Sequence, residues 1–210
     1  MFKLRYVAAA LVALLLASLL LDFTQWSSSP AKEISATELT RTIHTTNLNS
    51  TVLPQKIGHA RIVVFKSKRR LQLFDGQKLL REYQIALGSK PIGHKYLEGD
   101  RATPEGDYYI SHKNPNSQFY LSLGISYPNI NDAQFALNEK RISHTVYNQI
   151  VSANQSKISP PQKTALGGDI MIHGNGNASD WTWGCIALDD TDIKELYGVI
   201  REQTPIKILP

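Results

Sequence analysis

The 210-residue chain has one cysteine, Cys185. A single thiol forms no intrachain disulfide, and it excludes both a disulfide-stapled scaffold and a zinc module built on several thiolates. Metal-ligand spacing is also missing, because His44, His59, His94, His112 and His144 show no i, i+4 pairing. Neither sign of charge dominates: 23 basic against 18 acidic residues give +5, a mild bias toward anionic partners. No basic helix with interleaved aromatics and no zinc finger accompanies that bias, so nucleic acid is not an expected partner. Glycine and proline, 13 and 10 residues, are too few for a collagen-like or proline-rich polymer, and 42% hydrophobic residues exclude a wholly disordered chain. The length suits one catalytic domain plus a short extra segment.

Long hydrophobic runs are also scarce, with one exception. Residues 7–21, VAAALVALLLASLLL, follow Lys3 and Arg5. A positive start before an apolar stretch of about 7–15 residues predicts an export signal. The stretch is borderline for a bilayer span, which takes about 20 residues, and no small-x-small cleavage site follows at Leu21-Asp22-Phe23-Thr24. Residues 1–26 are therefore read as a signal peptide or, if uncleaved, an inner-membrane anchor through residues 6–26. The positive-inside rule puts the remainder outside the cytoplasmic membrane, in the periplasm or cell envelope. Residues 27–57, threonine-rich and polar, read as a spacer with one short helix near 34–43. Residues 58–210 read as the catalytic domain.

From Arg61 onward the pattern has period two. Ile62–Phe65 predicts a buried strand. Leu71 and Leu73 alternate up to Asp75-Gly76, a hairpin signal, and Tyr83, Ile85 and Leu87 alternate after it. Between the first two strands, Lys66–Arg70 reads as a solvated loop. Thr103-Pro104-Glu105-Gly106 fits a type I turn. Strands are expected at 107–111 and 118–126, with Phe119, Leu121, Leu123 and Ile125 on one face. The spacing of Ile142, Val146 and Ile150 predicts a helix over 131–153. A short strand at 169–173, a helix capped by Asp189 or Asp190 and a closing strand at 205–209 complete a mostly β, single-domain fold with two or three helices.

The chemistry concentrates in 167–190, GGDIMIHGNGNASDWTWGCIALDD. His173 ends a strand, and eleven residues rich in Gly and Asn leave room for Cys185 to return beside it. A lone thiol in an exported chain awaits a partner, serves chemistry, or is a small buried hydrophobe. Beside an imidazole it becomes a nucleophile. That imidazole needs an acceptor on its other nitrogen, and the Gly174 carbonyl is the nearest candidate. Gly184 clears space before the cysteine, and the amides of Gly184 and Cys185 are candidate oxyanion donors. Together these parts specify acyl transfer.

Residues 60–210 resemble the YkuD-type L,D-transpeptidase catalytic domain. The resemblance rests on His173-Gly174, on Thr182-Trp183-Gly184-Cys185, and on upstream stretches. These are Glu98-Gly99-Asp100, Thr103–Gly106, Leu121–Asn129, Gly167–Gly174 and Asp180-Trp181-Thr182. It implies that Cys185 is the nucleophile and His173 the general base, acting on peptidoglycan stem peptides through a thioester to form 3–3 cross-links, without metal or organic cofactor. It also implies the alternatives of a carboxypeptidase and of an enzyme releasing or attaching a wall-linked lipoprotein. A non-catalytic wall-binding or assembly protein is a further alternative. Two departures stand out: Trp183 replaces a second histidine common in the family, and Ala187 replaces an arginine. Arg101 and His94 are the candidate substitutes for that cation, and Trp183 is a candidate wall of the substrate site.

Overall fold

The computed structural model describes residues 52–210. The signal or anchor, most of the spacer and the helix expected near 34–43 lie outside the described residues. Among the described residues no helix is long and apolar enough to cross a membrane.

One eight-stranded sheet organises residues 60–209, in the order β3-β2-β1-β8-β4-β5-β6-β7. Strands β1 (Ala60–Phe65), β2 (Arg70–Asp75) and β3 (Lys78–Gln84) form an antiparallel meander turning at Gly76, whose φ of +56° suits glycine. The last strand, β8 (Pro205–Leu209), enters the middle of the sheet, parallel to β1 and antiparallel to β4 (Gly106–Ser117). Its alternation is strict: Ile206 and Ile208 are buried, Pro205 and Lys207 exposed. Ile62, Val64, Leu71, Leu73, Ile110 and Leu123 join them in the core. Strand β5 (Tyr120–Ile125) carries the sheet on to the short strands β6 (Met171–His173) and β7 (Ile186–Ala187).

The described residues form three helices. Helix α1 (Ile130–Asn138) starts with a capping box in which Asn129 and Asp132 satisfy each other's amides. Helix α2 (His144–Gln155) is capped by the Ser143 hydroxyl. The single helix expected over 131–153 is thus two. Lys140 takes the left-handed conformation, φ +58°, which ends the first helix before Ser143 starts the second. Helix α3 (Asp190–Val199) packs against β5 and buries Ile193 and Leu196. Asp189 is its N-cap residue but makes no side-chain cap bond. Leu196→Ala would cost about 2–5 kcal/mol at such a site.

Three local expectations fail, the last of them in part. Thr103–Gly106 leads into β4 without a turn. The strand expected from 169 begins at Met171, because Asp169 has φ +53°. Lys66–Arg70 is a solvated turn only in part: Ser67 and Lys68 are exposed, and Lys66 and Arg69 are not. Lys66 is buried, and its ammonium donates to the carbonyls of Gly93 and Thr103 and to Glu105 at 2.7 Å. Arg69 grips both oxygens of the Asp180 carboxylate at 2.5–3.1 Å. A buried cation requires such partners, so this basic run ties down the loops that frame the site.

Candidate active site

Strands β6 and β7 run parallel, with Ile172 beside Ile186 and His173 beside Ala187. Continuing that register by one residue puts Cys185 beside Met171. Alternation along a strand then gives His173 and Cys185 the same face of the sheet, as diagonal neighbours. At about 3.3 Å per residue and about 4.8 Å between strands, their Cα positions are roughly 8 Å apart.

His173 is 2% exposed. Its Nδ1 lies 2.7 Å from the Gly174 carbonyl oxygen. A carbonyl only accepts, so Nδ1 carries the proton and Nε2 is left with its lone pair. The Gly174 amide donates to the Phe119 carbonyl, and a Cβ at Gly174 would collide with the Asp190 carboxylate. The Phe119 ring stacks on the imidazole at 4.6 Å, and Trp181 meets it edge-on at 5.5 Å. Burial lowers the imidazole pKa below its usual value, opposed by the bond to Gly174.

Cys185 opens on a groove of about 570 Å³ whose walls include Lys95, Glu98, Gln162, Asp169 and Trp183. Its thiol donates to the Asp169 carbonyl at 3.5 Å and accepts from the Met171 amide at 3.4 Å. Among the described residues it makes no hydrogen bond to His173. Burial pushes the thiol up to about 11, and the Asp169 carboxylate adds to this; the Met171 amide and the Lys95 ammonium oppose it.

The turn before the cysteine is held by Thr182, whose hydroxyl donates to the Cys185 carbonyl at 2.8 Å and accepts from the Gly184 amide at 3.1 Å. Gly184 has φ +126°, and a Cβ there would lie 2.7 Å from the Ala102 carbonyl oxygen. The Gly184 amide, expected to face an oxyanion, is therefore engaged inside the turn.

The three candidate substrate residues separate. Trp183, 65% exposed, forms part of the groove wall next to Cys185. Arg101 is exposed and stacks its guanidinium over the Trp183 ring at 4.5 Å, so it reaches the groove through the indole. His94 does not reach it. Its Nδ1 accepts from the Glu105 amide at 2.9 Å and its Nε2–H donates to Asp132 at 3.1 Å. Both nitrogens are spent joining the loop before β4 to the start of α1.

Several neighbours had no signal in the sequence. Lys95 is buried beside Asp100, which also accepts from the amides of Tyr96, Leu97 and Ala102. Phe119 fits a strand pattern but falls in the turn between β4 and β5, where Tyr120 has φ +71°. That turn delivers the ring to His173.

The chain belongs to the YkuD family of L,D-transpeptidase catalytic domains, whose model matches residues 59–208. It is 28% identical over 127 residues to the Escherichia coli K12 protein named "Putative L,D-transpeptidase YafK", covering 58% of this chain and 48% of that protein. It thus spans about half the length of the curated relatives it matches. Solved structures with a similar course include the helical cell shape determining protein Pgp2 from Campylobacter jejuni. There the identity is 23% and the TM-score 0.48, over 71% of this chain and 46% of that one. Bdellovibrio bacteriovorus Bd1075 gives 21% and 0.47, over 76% and 54%.

Proposed function

We propose that the chain is a cysteine acyltransferase of the cell envelope that cross-links peptidoglycan stem peptides through a thioester on Cys185. One observation carries the reading. The 2.7 Å bond from His173 Nδ1 to the Gly174 carbonyl fixes Nε2 as a free base on the face of the sheet that presents Cys185 to an open groove.

In this reading the thiol turns from the Asp169 carbonyl toward the imidazole, and Nε2 takes its proton. The sulfur attacks the carbonyl carbon of the third stem residue, and the Cys185 amide faces the developing oxyanion. The C–N bond to the terminal D-alanine breaks, and the imidazolium returns the proton to the departing amine. The thioester then accepts an amine from a second stem, which gives a 3–3 link and restores the thiol. Water as acceptor would give carboxypeptidase action. Attack on the amide that joins a stem to a lipoprotein, with the lipoprotein amine leaving and water then cleaving the thioester, would give release from the wall. The neutral imidazole favoured by burial is the form this cycle needs at neutral pH.

Intact-mass spectrometry after incubation with a tetrapeptide donor tests the proposal, with products scored as dimers or trimmed monomers. An acyl adduct on Cys185 that is absent in Cys185→Ala, together with 3–3 dimers, supports it. Trimmed monomers alone assign the hydrolase. No adduct and no product, with Cys185→Ala retaining every cellular effect, would favour the non-catalytic role instead.

A further inference from the structure

The Cys185 thiol is parked on the Asp169 carbonyl, and the residue that fastens Asp169 in place, Gln162, lies outside the stretches on which the family resemblance rests. Asp169 holds φ +53°, a conformation that a side-chain-bearing residue adopts at a steric cost and that clusters at functional sites. This conformation aims its carbonyl at Cys185 Sγ, 3.5 Å away. Its amide, on the other side, is fastened to Gln162 Oε1 at 2.7 Å. Gln162 is itself anchored, because its Nε2 donates to the carbonyls of Pro160 and Tyr127 at 2.5 and 3.4 Å. Its main chain presses on Gly168 so closely that a Cβ there would collide with the Gln162 carbonyl. Side chain and backbone of Gln162 therefore clamp Gly168 and Asp169, on the approach to β6.

We propose that Gln162 is a positioning residue. By fixing Asp169 in the left-handed conformation it keeps the Asp169 carbonyl on Cys185 Sγ and stores the nucleophile as a protonated thiol turned away from His173. The hydrogen bond exists only while the thiol holds its proton; a thiolate there would face the lone pairs of a carbonyl oxygen. Gln162 and Asp169 both line the groove, so an occupant of the groove bears directly on the latch. The charged residues that line the groove with Cys185 are Asp169, Glu98, Lys95 and Lys163, of which Asp169 and Lys95 act on the sulfur, with His173 on the adjoining strand. The inference rests on Cys185 being the nucleophile, yet its test needs no stem peptide.

Cys185 is the chain's one thiol, so iodoacetamide uptake by the full chain between pH 6 and 11 reads it alone. Gln162→Leu is expected to lower the midpoint by about one pH unit, seen as about tenfold faster alkylation at pH 8. Asp169→Asn removes the carboxylate charge but tolerates the left-handed turn, and it is expected to keep most of the wild-type midpoint. If Gln162→Leu fails to fold, Asp169→Ala, which disfavours that turn, takes its place and carries the same expected shift. An unchanged or raised midpoint in the folded variant overturns the proposal. So does a shift in Asp169→Asn as large as in Gln162→Leu, since the charge and not the carbonyl would then hold the proton. Altered alkylation without any acyl transfer would keep the latch and discard the enzymatic reading.

Discussion

The Phe119 ring lies across the His173 imidazole, centroids 4.6 Å apart and planes 27° from parallel. Phe119 is 38% exposed, so this ring is the cover between the imidazole and solvent on that side. Burial is the largest cause of the lowered His173 pKa. In Phe119→Ala water reaches the ring and its pKa rises toward the ordinary value of about 6.5. A base is competent above its own pKa, so the acid limb of kcat/KM should lie below pH 6.5 in the wild type and move upward in the variant. A limb that stays in place would assign the stacking to packing alone.

His173→Ala should reduce turnover about 10²–10⁴-fold, the usual loss for a positioned base. The melting temperature guards against a trivial cause, since a buried ring is being removed. A few-fold loss in a folded protein would mean that another group takes the thiol proton.

Raising the thiol pKa to about 11 carries a stability signature. An exposed thiol in the unfolded chain titrates near ~8.5. Between the two values the folded chain holds a proton that the unfolded chain has released. The contribution of the thiol is therefore present below about pH 8.5 and is lost as pH climbs toward 11. Cys185→Ser has no titration in that window. Melting curves from pH 8 to 10.5 should show wild type losing ground to the variant, whereas parallel curves would contradict the burial of the thiol.

Arg101 touches the groove through Trp183, with its guanidinium 4.5 Å from the indole centroid. An exposed cation–π contact is worth about 0.5–1 kcal/mol, or roughly a two- to fivefold effect. Arg101→Ala should raise KM for the donor peptide by that factor and leave kcat nearly unchanged. Trp183→Ala should raise KM further, because it removes part of the wall itself. An unchanged KM in Arg101→Ala ends its candidacy as a substrate residue.

Gly184→Ala places a methyl group 2.7 Å from the Ala102 carbonyl in a backbone with φ +126°. Strain of this kind costs about 1–3 kcal/mol and displaces the residue that follows. Slower alkylation or acylation of Cys185 is expected, together with a lower melting temperature. A variant with wild-type rates would show that the turn can relax without moving the sulfur.

Much of the frame was legible because alternation is a strong signal where one face is buried. Ile62, Val64, Leu71, Leu73, Leu123 and Ile125 all read as strand core and all lie there. The last helix was legible in Ile193 and Leu196. The helix break at 139–143 was hidden because Ile142, Val146 and Ile150 keep helical spacing through it, while Lys140 supplies a left-handed turn that no residue type announced. The buried ammonium of Lys66 was equally hidden, since a lysine next to Lys68, Arg69 and Arg70 looks like surface charge until its three acceptors are known. At the site, the tautomer-fixing carbonyl of Gly174 followed from local chemistry. The engaged Gly184 amide and the diverted His94 did not, because both depend on partners brought from elsewhere in the chain.

Strand β8 is the last element of the sheet to leave the ribosome, yet it is a central plank, bonded on one edge to β1 and on the other to β4. Until residues 205–209 arrive, no strand ladder joins the β1–β3 meander to the β4–β7 half that bears His173 and Cys185, and only peripheral ties such as Arg69–Asp180 and the Ala86–Ala187 bridge connect them. Removal of those five residues should therefore divide the sheet down its middle, with soluble yield and circular dichroism as the readout, rather than trim an edge.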